Sequence, residues 1–438
     1  MDLAFSLRTQ RDLDADPEAV KIIYGSQAPV SKGPWYTLLE PRVPLFMARD
    51  KQEHARRRKV WDQSFTTKGK HSPSVSHPAS SPTDTPTALL GYDSRITKAI
   101  TLLLAAVERH EGRPMDVSEW FSFFVFDVME DLAFNKSSNM LANGKAAYIF
   151  QTIRTDMYNI AFFTHLPWLL PFLKRTPVLN WNYIEFLDWI QKLIDERKLV
   201  SPAVPSLSLP KKNQRKKLTP PQKEPSQPDI FSPILDAYTS KPAKTQRDHW
   251  NLHGDAQLIV IAGSDSVAAA LTHTFFHLAW DPILVKRLQS ALDALPSLDH
   301  EQLLTVDLLD AVLHEVMRLH PPVPSGTQRV TPPKGMWIGE RFVPGDTIVQ
   351  VPSYTVFRDA RAFEQPGEFI PERWTTMPEL VRDRSVYIPF NTGAFDDTPE
   401  EQTGFGGGSA AVHQADKKRK KSRPVRVRRQ AAGHARAA

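Results

Sequence analysis

Residues 306–320 read VDLLDAVLHEVMRLH, residues 353–374 read SYTVFRDARAFEQPGEFIPERW, and residues 387–397 read YIPFNTGAFDD. The order of these three stretches decides the fold. In the first, apolar residues recur at helical spacing until Pro321-Pro322 stops the run. Glu315 and Arg318 are three apart and therefore share one face of that helix. Alone, such a pair is an ordinary solvated surface pair, worth a few tenths of a kcal/mol. The two stretches that follow change its meaning.

An ExxR helix, an aromatic-rich segment ending in PERW, and a PFxxG loop in this order resemble the cytochrome P450 monooxygenases. The resemblance implies that Glu315 and Arg318 join Arg373 of PERW in a buried ion triad beneath a haem. Three charged groups are buried together only if they are mutually paired and hydrogen-bonded. It also implies that Phe390 and Gly393 belong to the haem-ligand loop, whose cysteine falls at position 397. The residue there is Asp397, and the chain has no cysteine. A haem-thiolate enzyme needs the thiolate to push electron density toward the iron and favour O–O cleavage. The expectation is a chain of monooxygenase lineage that is inactive as written.

A second match lies upstream, where residues 262–266 read AGSDS. In the family a small residue and a glycine let this helix backbone approach the haem, which assigns Ala262 and Gly263. The acid and hydroxyl that follow relay protons to bound dioxygen, which assigns Asp265 and Ser266. The family more often carries Thr at the Ser266 position. Read alone, AGSDS is a glycine-weakened helix with a solvated Asp. A third match is HARRRKVWDQSF at 54–65, where His54 and Arg58 have the spacing that serves haem propionates in related fungal members. Arginine suits a propionate through its planar two-pronged donor set. A basic surface helix is the plain alternative. Arg329, shortly after ExxR, matches a further propionate arginine.

The implied fold is mainly α with small β-sheets, the cytochrome P450 fold, over residues 1–396. It is expected to be incomplete at the N-terminus and after the haem-ligand loop, the product of a mis-spliced or frame-shifted gene. The resemblance further implies haem as cofactor, NADPH as electron source through cytochrome P450 reductase, and a small organic substrate. It places the family at the endoplasmic reticulum membrane.

Composition agrees with a packed protein. Of 438 residues 41% are apolar, enough for a substantial core. Without cysteine there are no disulfides, thiolate metal sites or cysteine nucleophiles. The net charge is +6, but residues 417–438 hold ten Lys or Arg and no acid, so the remainder is mildly acidic. No signal peptide is visible, and no stretch reaches the ~18 apolar residues of a membrane span.

Two Pro-rich segments, near 66–90 and 200–229, read as disordered insertions. Residues 397–438 read as a disordered basic tail. Ile96, Ile100, Leu103, Leu104 and Val107 suggest one apolar helix face. Residues 118–134, apolar almost all round, suggest a central buried helix. Residues 253–280 form another long apolar segment, and 335–351 read as a hairpin turning at Pro344-Gly345. IAFFTHLPWLLPFL at 160–173 is apolar, Pro-interrupted and too short to span, which fits either core or a peripheral membrane contact.

Two other readings compete. A non-catalytic small-molecule binder would keep the pocket and lose the chemistry, as the cysteine-free position 397 suggests. A nucleic-acid protein would need a basic folded surface. The tail has no aromatic residue for base stacking, so no specific nucleic acid is expected. His273 and His277 sit at i, i+4, but Thr274 replaces the glutamate of a zinc-protease helix, and the pair reads as structural.

Overall fold

A computed structural model of the chain describes residues 16–65, 87–110, 113–163, 176, 181–200 and 229–391. The elements run α1 (Pro17–Tyr24), β1 (Ser31–Lys32), α2 (Lys51–Phe65), α3 (Thr87–Arg109), α4 (Val117–Phe134), α5 (Met140–Asn143), α6 (Tyr148–Phe163) and α7 (Trp181–Val200). They continue with α8 (Ser232–Thr239), α9 (Gln246–Trp280), α10 (Pro282–Asp293), α11 (His300–Leu303) and α12 (Asp307–Leu319). The last are β2 (Arg329–Val330), β3 (Met336–Ile338), β4 (Arg341–Val343), β5 (Ile348–Val349) and α13 (Ser353–Val356). The fold is mainly α with small sheets, as the motifs implied.

The 35-residue helix α9 is the spine of the molecule, with α4 packed along it. It begins at Gln246, seven residues before the apolar run that announced it. A reciprocal cap starts it: Asp248 N donates to Thr245 Oγ1 and Thr245 N to Asp248 Oδ2. Among the described residues this is one helix apolar and long enough to cross a membrane, by length and composition only. Helix α4 is capped by Asp116 and ends at Asn135 in the left-handed region. Its Phe123, Val125, Phe126, Leu132 and Phe134 are buried, as expected of a central helix.

Two expectations change. On α3 the inward stripe is Tyr92, Ile96, Ala99, Leu103 and Ala106, recurring every three or four residues. Ile100, Leu104 and Val107 point outward, with 41%, 57% and 48% exposed. The apolar pattern was wider than the single face that α4 covers. The hairpin turns at Gly339-Glu340, because β3 pairs with β4 with Ile338 opposite Arg341. Pro344-Gly345 instead leads the chain into β5, which joins the three-stranded sheet β1-β2-β5. Gly345 is required there, since a Cβ would stand 1.9 Å from the Pro333 carbonyl oxygen.

The described structure reaches into the edges of the two Pro-rich segments. Thr87–Leu90 already belong to α3, and Asp229 is a buried partner of Arg197. Residues 66–86 and 201–228, most of segment 160–173, and the tail with Gly393 and Asp397 lie outside the described residues.

Candidate functional site

Helix α12 sends Glu315 and Arg318 into the interior, where neither is exposed, and the PERW turn brings Arg373 to the same point. Arg318 grips the carboxylate with two prongs, Nε to Oε2 at 2.9 Å and Nη2 to Oε1 at 2.8 Å. Arg373 Nε adds a bond to Oε1 at 2.8 Å. The carboxylate accepts twice more, from Ile370 N at 3.0 Å and from Trp374 Nε1 at 2.9 Å. The guanidinium ends that remain donate to carbonyls of Phe357, Pro366 and Glu368 for Arg318, and of Glu364 and Gln365 for Arg373. This network satisfies the condition under which buried charge is tolerated. Trp374 is a member the motif reading left out. Its signal was in the sequence, as the W of PERW.

On α9, Ala262 and Asp265 are exposed and Ser266 half-buried, one continuous stripe of a single helix side. The Ser266 hydroxyl donates to the Ala262 carbonyl at 2.8 Å. Asp265 is exposed along one side, yet enough protein surrounds it that desolvation raises its carboxyl above the usual range, and Arg154 on α6 acts the other way. Gly263 stands against α4. A Cβ there would stand 2.4 Å from Met129 Cε and 2.8 Å from its sulfur. The glycine lets α4 approach α9.

The propionate candidates are separated by their surroundings. His54 is buried. Arg58 is partly exposed and pairs with Asp62 at 2.7 Å. The inward arginine of that helix is Arg57, whose guanidinium meets the buried Asp255 carboxylate of α9. Asp255 also accepts from Leu45 N at 2.9 Å. Burial raises the Asp255 carboxyl, and Arg57 opposes the shift. Three adjacent arginines hid which one faces inward. Arg329 is buried in β2 and donates to Tyr36 Oη at 3.0 Å. Phe390 is half-buried in a turn, before Asn391 at φ 61°.

His273 and His277 lie against a third histidine. Their partner is His320, stacked on His273 at 4.1 Å between centroids and bonded through Nε2 to His277 Nε2 at 2.9 Å. Burial lowers His277, and burial with the neighbouring cations lowers His320 to about 4. Among the described residues no group of three His, Cys, Asp or Glu is arranged to hold a metal ion.

Known proteins resemble the chain over most of its length. The Cytochrome P450 family profile matches residues 65–394. The chain belongs to the cytochrome P450 family. It is similar to the cytochrome P450 monooxygenase orf5 of Eupenicillium brefeldianum, 43% identical over 380 residues, which cover 87% of this chain and 69% of that one. It is 39% identical to the cytochrome P450 monooxygenase FCK2 of Fusarium pseudograminearum, covering 87% and 62%. The chain thus spans under two thirds of that second relative. Among solved structures, the cytochrome P450DA heme domain aligns with a TM-score of 0.66 at 14% identity, over 91% of this chain and 79% of that one. At that identity the match speaks for the fold alone.

The P450 family implies a haem, and the residues present fit one end of it. Buried Arg329 beside Tyr36 suits a carboxylate such as a propionate. The donor set does not fit the other end, because a chain without cysteine offers no thiolate.

Proposed function

We propose that this P450 descends from haem-dependent monooxygenases that insert one oxygen atom of dioxygen into an organic substrate. In that reading electrons come from NADPH through cytochrome P450 reductase, at the endoplasmic reticulum membrane. The Glu315–Arg318–Arg373 triad with Trp374 is the observation that carries the lineage.

A thiolate-ligated haem supplies dioxygen activation when bound. The chain's own contributions are polar. Asp265, with its carboxyl raised by burial, holds a proton more tightly than a solvated Asp and is the proton donor of the stripe. Ser266 Oγ, now bonded to the Ala262 carbonyl, is its relay partner. Arg329, His54 and Arg58 are assigned to the propionate side.

The chain as written does not perform the oxygen-splitting step. Asp397 offers a carboxylate oxygen, a poorer electron donor than a thiolate. The reduced, haem-reconstituted protein is expected to show no thiolate-type long-wavelength Soret band under carbon monoxide. Observing that band would overturn the inactivity. The second reading is a binder of small organic molecules that keeps the pocket without turnover, and the absence of any cysteine favours it. Ligand-induced spectral shifts without product in single-turnover assays support it, and product formation refutes it.

A further inference from the structure

Three imidazoles close one joint between α9 and α12. His273 and His277 sit about one turn apart near the end of α9, and His320 follows Leu319, the last residue of α12. The His320 ring stacks on His273 at 4.1 Å and lies 5.1 Å from the His277 ring. His277 stacks in turn on Phe369 at 4.0 Å, and the His277 and His320 Nε2 atoms are 2.9 Å apart.

A contact between two Nε2 atoms is a hydrogen bond only if one carries a hydrogen and the other is bare. When both rings are charged, N–H faces N–H and the bond is lost. His273 Nδ1 donates to the Ala269 carbonyl at 2.8 Å, which leaves its Nε2 to take an added proton. The surroundings offer such protons little compensation. Arg318 of α12 and Arg358, which follows α13, face His320 with positive charge. Glu315 is the carboxylate that acts on His277, and Arg318 and Arg373 already grip it.

We propose that His273, His277 and His320 form an acid-opened latch that ties the last turns of α9 to the end of α12. Above the usual histidine range near pH ~6.5 the rings are neutral and the latch is closed. Burial and the neighbouring cations hold His320 down at about 4. As pH falls toward that value, protons enter rings that then repel one another and the two arginines, and the contact is shed. Two segments are released. One is the end of the helix that carries Ala262–Ser266 roughly two turns upstream. The other is the Pro321-Pro322 stretch that leads to β2. The latch depends on neither haem nor the activity proposed above.

The chain has no cysteine, so nitroxide labels attach only where cysteines are introduced. Ala279→Cys and Val323→Cys place two labels on exposed residues, one on each side of the latch. Pulsed electron paramagnetic resonance on the full chain then reads their separation as pH is lowered. The close population should dominate at neutral pH and fall by half where His320 is half-protonated, at about 4. His320→Phe keeps a ring to stack on His273 and removes the titration, so its close population should hold over that range. His277→Phe keeps the stack on Phe369 and should hold in the same way. A parent whose label separation is unchanged down to that pH overturns the latch without recourse to any variant. Opening at the same pH in the parent and in both phenylalanine variants also overturns it, because other groups then cause the change. Opening that only accompanies loss of the helical circular dichroism signal is unfolding, and overturns it as well.

Discussion

Trp374 Nε1 donates to Glu315 Oε2 at 2.9 Å, on the oxygen that also accepts from Arg318 Nε. The indole therefore shares one carboxylate with two arginines, and a single side chain holds α12, the PERW turn and the backbone at Ile370 together.

Removing that carboxylate leaves two buried guanidinium groups uncompensated, at a cost of about 3–5 kcal/mol. Domains have only ~5–15 kcal/mol to lose. Glu315→Ala should give insoluble or molten protein, and Glu315→Gln nearly so, since it keeps the shape and loses the charge. Trp374→Phe removes one neutral donor and should cost about 0.5–1.5 kcal/mol. Thermal melts check the ranking. A parent-like melting temperature for Glu315→Ala would mean that the triad does not support the fold.

Two glycines of α9 should respond differently to alanine. At Gly263 the added Cβ meets the flexible end of Met129, which has room to swing away. At Gly254 it meets backbone, with Pro44 N at 2.7 Å and Val43 C at 2.8 Å. Gly263→Ala should melt close to the parent, because better helix propensity offsets repacking. Gly254→Ala should fall by several degrees as the 43–47 segment is pushed off the helix. Equal melting temperatures for the two variants would contradict the packing described.

His253 should make the protein acid-sensitive. Its Nε2–H donates to the Leu187 carbonyl at 3.1 Å, while buried Nδ1 has no partner to receive an added proton. Burial, reinforced by Arg42, lowers it to about 4. A depressed value means the folded state binds the proton less well than the unfolded one. The contribution is therefore full above about pH 6.5 and is lost as pH falls toward 4, on the order of 3 kcal/mol. Denaturant midpoints at pH 7 and pH 4.5 measure it. His253→Gln should reduce the difference, leaving the share of His320, which is also lowered to about 4; an unchanged pH slope in that variant would assign the sensitivity elsewhere.

The Arg197–Asp229 pair is a second buried ionic joint, tying α7 to the start of α8. The Asp229 carboxylate also accepts from Asn135 Nδ2 at 2.9 Å and Ser232 N at 2.7 Å. Its side chain has no exposed surface, and burial raises its carboxyl. Arg197→Ala should destabilise by roughly 3–5 kcal/mol, and Arg197→Ala with Asp229→Asn by less, since no buried charge is left alone. If the double variant is the worse of the two in chemical denaturation, the pair is not the source of the cost.

The sequence by itself determined the family, the long helices and the triad, because these are written in local spacing. Glu315 and Arg318 share a face by helix geometry alone, and PERW in that order names their partner. Apolar periodicity found α4, α9 and α12. What periodicity does not contain is the identity of the neighbour. Ile100, Leu104 and Val107 continue an apolar pattern, yet α4 covers only the stripe through Tyr92, Ile96, Ala99, Leu103 and Ala106. Three consecutive arginines on α2 look alike in a string, and only the docking of α9 selects Arg57 for Asp255 and leaves Arg58 with Asp62. Gly263 serves Met129 on a helix more than a hundred residues earlier. The hairpin turn moved from Pro344-Gly345 to Gly339-Glu340 because β5 is claimed by a strand of another sheet. Lys32 and Arg329, some three hundred residues apart, meet through strand register. Backbone hydrogen bonding between distant segments sets that register, and no local pattern encodes it.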